Sequence, residues 1–167
     1  RGLVGSEMCI RDRLPDGSLD YDNEVLAQLD YVIAAIHQSF NQSEDEIMKR
    51  LEVACKNPYV RHIAHPTGRI IGRRPGYKPN IEKLMKLAEE TNTILEINAN
   101  PKRLDLNAET VRKYPNVKLT INTDAHHTNH LEFMKYGVAT AQKGFVAKDR
   151  VVNALSREEF KSLIENN

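Results

Sequence analysis

From about residue 20 onward the chain alternates short apolar runs with stretches of helical period. "DYVIAAIH" (residues 30–37), "YVRHIAHP" (59–66), "TILEINANP" (93–101) and "VKLTINTDA" (117–125) have strand length and apolar content, and Pro66 stops the second of them. Between them, "SEDEIMKRLEVACKN" opens with Ser43 and Glu46 at capping-box spacing and puts Ile47, Met48, Leu51 and Cys55 on one helical face. "NIEKLMKLAEETN" repeats the pattern through Ile81, Leu84, Met85 and Ala88. "NAETVRKYPN" reads as a short helix, and "HLEFMKYGVATAQKG" as a longer one. Ser156 with Glu159 caps a last helix carrying Phe160, Leu163 and Ile164. Strand and helix alternating at this pace predict an α/β fold with parallel strands joined by crossover helices.

One segment breaks the rhythm. Residues 65–79, "HPTGRIIGRRPGYKP", are rich in Gly and Pro, have no period and read as a long loop. From Val53 to Ile81 there is no acidic residue, while Lys56, Arg61, Arg69, Arg73, Arg74 and Lys78 accumulate. A basic loop beside a metal site is placed to receive phosphate, although most basic runs are solvated surface.

Composition narrows the function classes. With 167 residues the chain is long enough for one real core and too short for a complete eight-unit barrel. A formal net charge of +1 gives no global field for clamping nucleic acid, and no apolar run approaches membrane-spanning length. Cys9 and Cys55 form neither a disulfide framework nor a CxxC motif, which fits a reducing, cytoplasmic setting.

The chemistry gathers where the strands end. The four runs finish at His37, at His65, near Asn98 and Asn100, and at Asp124 with His126. In parallel α/β folds the carboxyl ends of the strands form the working face, so these side chains can converge. Neutral imidazoles with a carboxylate suit Zn, Mn or Fe better than Mg or Ca. His62, three positions before His65, is expected on the opposite face as packing or surface. His127 is expected to face away, His130 to cap a helix, and Met48, Met85 and Met134 to fill core.

"IHQSFNQSEDE", "IAHPTGR", "LEINANPKRLDL" and "INTDAH…GVATAQKG" together resemble the PHP (polymerase and histidinol phosphatase) domain, most closely in the form found at the C-terminal end of bacterial family X DNA polymerases. The resemblance covers about residues 14–165. It implies the C-terminal part of a distorted (β/α)7 barrel with up to three divalent ions, Zn or Mn, at the strand ends. It also implies that His37, His65, Asp124 and His126 are metal ligands, with Asp124 and His126 catalytic, and that Arg69, Arg73 and Arg74 meet the substrate phosphate.

The activity implied is metal-dependent phosphoester hydrolysis of the 3′–5′ exonuclease or DNA end-processing type. The implied partners are DNA 3′ ends, or another phosphoester, and an upstream polymerase domain. A histidinol-phosphatase-like enzyme for small molecules and a metal-free scaffold are the alternatives. The family's HxH pair, its early Asp–His pair and its Glu have no counterpart here. Residues 1–13, "RGLVGSEMCIRDR", have neither the alternation nor the composition of the expected strand; they read as non-native, adapter-like sequence, with the partial PHP domain running over 14–167. A chain with so few of the family's ligands is expected to be nearly inactive alone.

Overall fold

The computed structural model describes the backbone of residues 8–12 and residues 21–165, with side chains described for 21–163. Five parallel strands stand in simple sequence order: β1 (Met8–Asp12), β2 (Tyr31–Ala35), β3 (Val60–Ile63), β4 (Ile94–Asn98) and β5 (Leu119–Asn122). Between and after them come α1 (Asn23–Leu26), α2 (Glu44–Cys55), α3 (Ile81–Glu90), α4 (Ala108–Lys113), α5 (Met134–Lys143) and α6 (Arg157–Glu165). The α/β class and the parallel crossover pattern agree with part of a PHP barrel.

An order without reversal means that each crossover steps to the same side. Period-2 alternation then gives the sheet two distinct faces. Val32, Ala34 and Ile36 pack with Leu95, Ile97, Leu119 and Ile121 under α2–α5, in the main core. Tyr31, Ile33 and Ala35 turn the other way, and with Ala64, Ile94 and Val152 they pack against Phe160 and Leu163 of α6. On this second face β4 and β5 set Glu96 beside Thr120 and Asn98 beside Asn122, in register. A polar floor is thus built into the inner face of the sheet.

The helices start where the side chains supply acceptors. Ser43 Oγ accepts from Glu46 N–H while the Glu46 carboxylate accepts from Ser43 N–H, a complete capping box. Ser43→Ala is expected to lower the unfolding free energy by ~1 kcal/mol, read by urea titration. Arg50 is buried on the core side of α2, because its guanidinium reaches back to Gln38 O and Gln42 Oε1.

The structure departs from the sequence reading at the front. Met8–Asp12 pairs with Tyr31–Ala35 as a parallel edge strand, where no strand was expected. Main-chain pairing needs only extended backbone, so a stretch without side-chain alternation can still add to an open edge. The rest of the expectation for residues 1–13 falls outside the described residues.

Candidate functional site

The four strands that end in chemistry do so at one offset. His37, His65, Asn100 and Asp124 each lie two residues beyond the last residue of β2, β3, β4 and β5. The sheet therefore carries them all to one edge, where a cavity of about 660 Å³ is lined by His37, His65, Glu96, Asp124 and His126 but not by Asn100. Met134 and His62 line it too.

His37 and His65 meet there directly, with Nε2 atoms 3.2 Å apart. His65 sits at φ 32, in the left-handed region, and its main chain is fixed from several sides. Its N–H donates to Glu96 Oε2 at 2.7 Å, and its carbonyl accepts from Gly68 N–H at 2.8 Å and Tyr77 Oη–H at 3.2 Å. Gly68 is required: at φ +62, any Cβ would lie 2.4 Å from the Tyr77 ring. Burial pushes the His65 imidazole down to about 4, helped by the nearby Arg103 and His37 charges. It is neutral at pH 7, the state in which an imidazole can bind a cation.

Asp124 also sits in the left-handed region, at φ 52, which a short polar side chain tolerates. Its Oδ1 lies 3.9 Å from His126 Nδ1, while that nitrogen faces the Asp124 carbonyl oxygen at 2.8 Å. With Nδ1 so engaged, Nε2 of His126 is the nitrogen left to bind outward. Asp124 Oδ2 accepts from Arg103 Nε at 2.8 Å.

The donor chemistry of these four residues fits a divalent cation such as Zn or Mn, as two pairs on the walls of one cavity. The pairs do not close into one shell: among the described residues no group of three or more His, Cys, Asp or Glu side chains is near enough to hold a metal ion.

Glu96 forms the floor. Its carboxylate is buried and takes Asn98 Nδ2–H and Asn122 Nδ2–H, each at 3.0 Å, besides the His65 amide. Burial pushes it up to about 7, against those hydrogen bonds, which pull it down. Sequence reasoning passed over Glu96, yet the signal was present: Ile94, Glu96 and Asn98 share one side of an otherwise apolar strand.

His62 needs correcting. It is fully buried and lines the same cavity as His65, with Nε2 2.9 Å from Thr120 Oγ1. Alternation from His62 fails at His65 because the latter stands beyond the strand, where the backbone has turned left-handed. Met134, expected as core filler, is exposed at the cavity rim. His127 is exposed, and His130 Nδ1 accepts from the His126 N–H.

The expected phosphate ligands lie outside the cavity lining. Arg69 gives its guanidinium to the carbonyls of Arg103, at 2.7 Å, and Leu104. Arg74 bonds Gly68 O and stacks 3.9 Å over Phe40. Arg73 is exposed on the loop.

No protein-family model matches the chain. It is 53% identical, over its whole length, to the DNA polymerase/3′-5′ exonuclease PolX of Bacillus subtilis (strain 168), of which it spans 29%. A protein named a probable phosphatase, from Thermoanaerobacter sp. (strain X514), is 29% identical over 90% of this chain and 63% of its own length. Another so named, from Caldanaerobacter subterraneus, is 38% identical over 58% of this chain and 36% of its own. Fold, strand-end chemistry and these similarities define an α/β segment of parallel strands whose carboxyl ends carry histidine and carboxylate side chains. More narrowly, the chain is a PHP-type segment, related to the one within family X DNA polymerases.

Proposed function

We propose that the chain is part of a metal-dependent phosphoesterase domain which, in a longer cytoplasmic protein, trims or processes DNA 3′ ends beside a polymerase domain. The observation that carries this is the 53% identity along the entire chain to a protein named for both activities. The cavity adds support, since His37, His65, Asp124 and His126 all border it. A bound Zn or Mn ion would supply charge for phosphate oxygens and acidify water. The chain's own part is then to keep His65 neutral and facing His37, to hold Asp124 oriented, and to floor the site with Glu96. Catalytic roles fall to Asp124 and His126. Arg73, exposed on the loop, is read as the arginine that meets phosphate, whereas Arg69 and Arg74 would reach it only by leaving their carbonyl partners.

The phosphatase relatives favour a second reading, a small-molecule phosphatase. One set of assays separates the two. The chain, and the same chain joined to a complete upstream PHP half, are loaded with Mn²⁺ or Zn²⁺ and given a 3′-labelled oligonucleotide, bis-p-nitrophenyl phosphate and a small phosphomonoester. The joined protein is expected to shorten the oligonucleotide, and Asp124→Ala to slow it by at least ~100-fold, as loss of a metal ligand exceeds loss of its supporting partners. The chain alone is expected to be nearly inactive. Turnover of the monoester only would move the reading to the phosphatase. No turnover and no metal uptake in the joined protein would leave a scaffold.

A further inference from the structure

Three guanidinium groups, those of Arg69, Arg74 and Arg103, lie near one another, and they are not equivalent. Arg74 is bound to Gly68 O through Nε and Nη2. Arg69 is bound to the carbonyls of Arg103 and Leu104. Among the described residues, Arg103 alone of the three pairs with a carboxylate, Nε to Asp124 Oδ2 at 2.8 Å, and its Nη1 reaches back toward Arg69 O at 3.5 Å. This pair is largely withdrawn from solvent, with side chains 15% and 22% exposed.

We propose that Arg103 is a positioning residue that sets the orientation of the Asp124 carboxylate in the cavity, and that Arg69 acts one step behind it by pinning the turn from which Arg103 projects. The inference rests on the reading of Asp124 as a cation ligand. It gives Arg69 of the basic loop a structural role at the site, in place of direct contact with phosphate.

Asp124 lies beyond the end of β5, past the last residue paired with β4, so its carboxylate depends on side-chain partners for its orientation. A guanidinium N–H bonded to Oδ2 fixes the carboxylate plane and leaves Oδ1 turned toward His126. A carboxylate that ligates a metal is commonly held in this way by a neighbouring donor. The turn carrying Arg103 is itself secured: Leu104 is left-handed at φ 47, Arg69 caps the carbonyls of 103 and 104, and Thr67 binds the buried Asp105 through both N–H and Oγ1. The path Arg69, Arg103, Asp124 thus ties the loop after β3 to the end of β5.

The sign of one measurement separates positioning from simple charge. Deleting a cation beside a cation site should tighten metal binding by Coulomb's law, whereas deleting a positioning group should weaken it. The chain is titrated with Co²⁺, followed by its visible absorption, as wild type, Arg103→Met, Arg103→Lys, Arg69→Met, Asp124→Ala and the Arg103→Met/Asp124→Ala pair. Methionine keeps an apolar stem and so limits the packing loss. Arg103→Met is expected to weaken Co²⁺ by ~10-fold or more. Arg69→Met should weaken it less, Arg103→Lys should recover only part, and the pair should bind no worse than Asp124→Ala alone.

A crystal structure of metal-free Arg103→Met should show the Asp124 carboxylate rotated from its wild-type orientation. Equal or tighter Co²⁺ binding by Arg103→Met, full recovery by lysine, or an unmoved Asp124 would overturn the proposal. If wild type takes up no Co²⁺, the four ligands of this chain do not hold a cation by themselves, and the metal-free structure alone decides the role of Arg103.

Discussion

Gly137→Val is expected to cost about 3 kcal/mol or more of unfolding free energy, at the upper end for overpacking a core. Gly137 is buried on α5 where the helix crosses β4 and β5. A Cβ there would stand 2.4 Å from Ile121 Cγ2 and 2.7 Å from Ala99 Cβ. Both distances are shorter than real carbon contacts, and neither atom lies at the end of a long flexible side chain. The helix must lift, and with it the loop that carries Asp124 and His126, since that loop runs from β5 into α5. Against a total stability of about 5–15 kcal/mol this is a large fraction, so the melting temperature should fall clearly. Gly137→Ala should destabilise in the same direction by less, although alanine favours helix by ~1 kcal/mol over glycine. Urea titrations of both variants, alone and with Ile121→Ala, test the cause. If removing the Ile121 branch gives no relief, the contact is not the source of the loss.

The periodic elements were readable because they are set by local chemistry. The Ser43 capping box, the helical face of Ile47 and Leu51, and the four apolar strands follow from spacings within a few residues. That His37, His65, Asp124 and His126 border one cavity was legible for a similar reason, as parallel strands bring their carboxyl ends together. What escaped depends on partners far along the chain. Arg103 lies 21 residues before Asp124, and nothing in "NPKRLDL" marks which of its charges turns inward. The guanidinium of Arg69 was free to be read as a phosphate ligand until the turn at 103–104 offered two carbonyls. His62 was placed on the wrong side by carrying strand alternation through His65, whose backbone has already left the strand. Glu96 was hidden by the opposite error, a polar residue overlooked inside an apolar run.

The stability of the wild type, compared with His62→Gln, is expected to fall as the pH drops from 6.5, by about one proton's worth of free energy per unit. Glutamine can keep a hydrogen bond to Thr120 Oγ1 without a titrating proton. Burial pushes the His62 imidazole from its ordinary 6.5 down to about 3, and the nearby His65 charge adds to the shift. Its Nδ1 has no hydrogen-bond partner among the described residues, and the neighbouring Tyr31 ring, 6.1 Å away, brings no charge at these pH values. The sign follows from proton counts. Below pH 6.5 the unfolded chain protonates this histidine and the folded chain does not, so the unfolded state binds more protons and gains on the folded one. The slope is ~1.4 kcal/mol per pH unit, on the order of 2 kcal/mol by pH 5. His65, pushed down to about 4, acts in the same direction. Glu96, pushed up to about 7, and Asp105, also raised by burial, act oppositely, because folding keeps their protons on. Those opposing groups flatten the absolute profile, which is why the difference between wild type and variant is the quantity to measure. Urea titrations at half-unit steps from pH 8 to 4.5 give both curves. Parallel curves would mean that His62 takes up its proton as readily in the folded protein as in the unfolded chain, and that the inner face of the sheet is wet at that point.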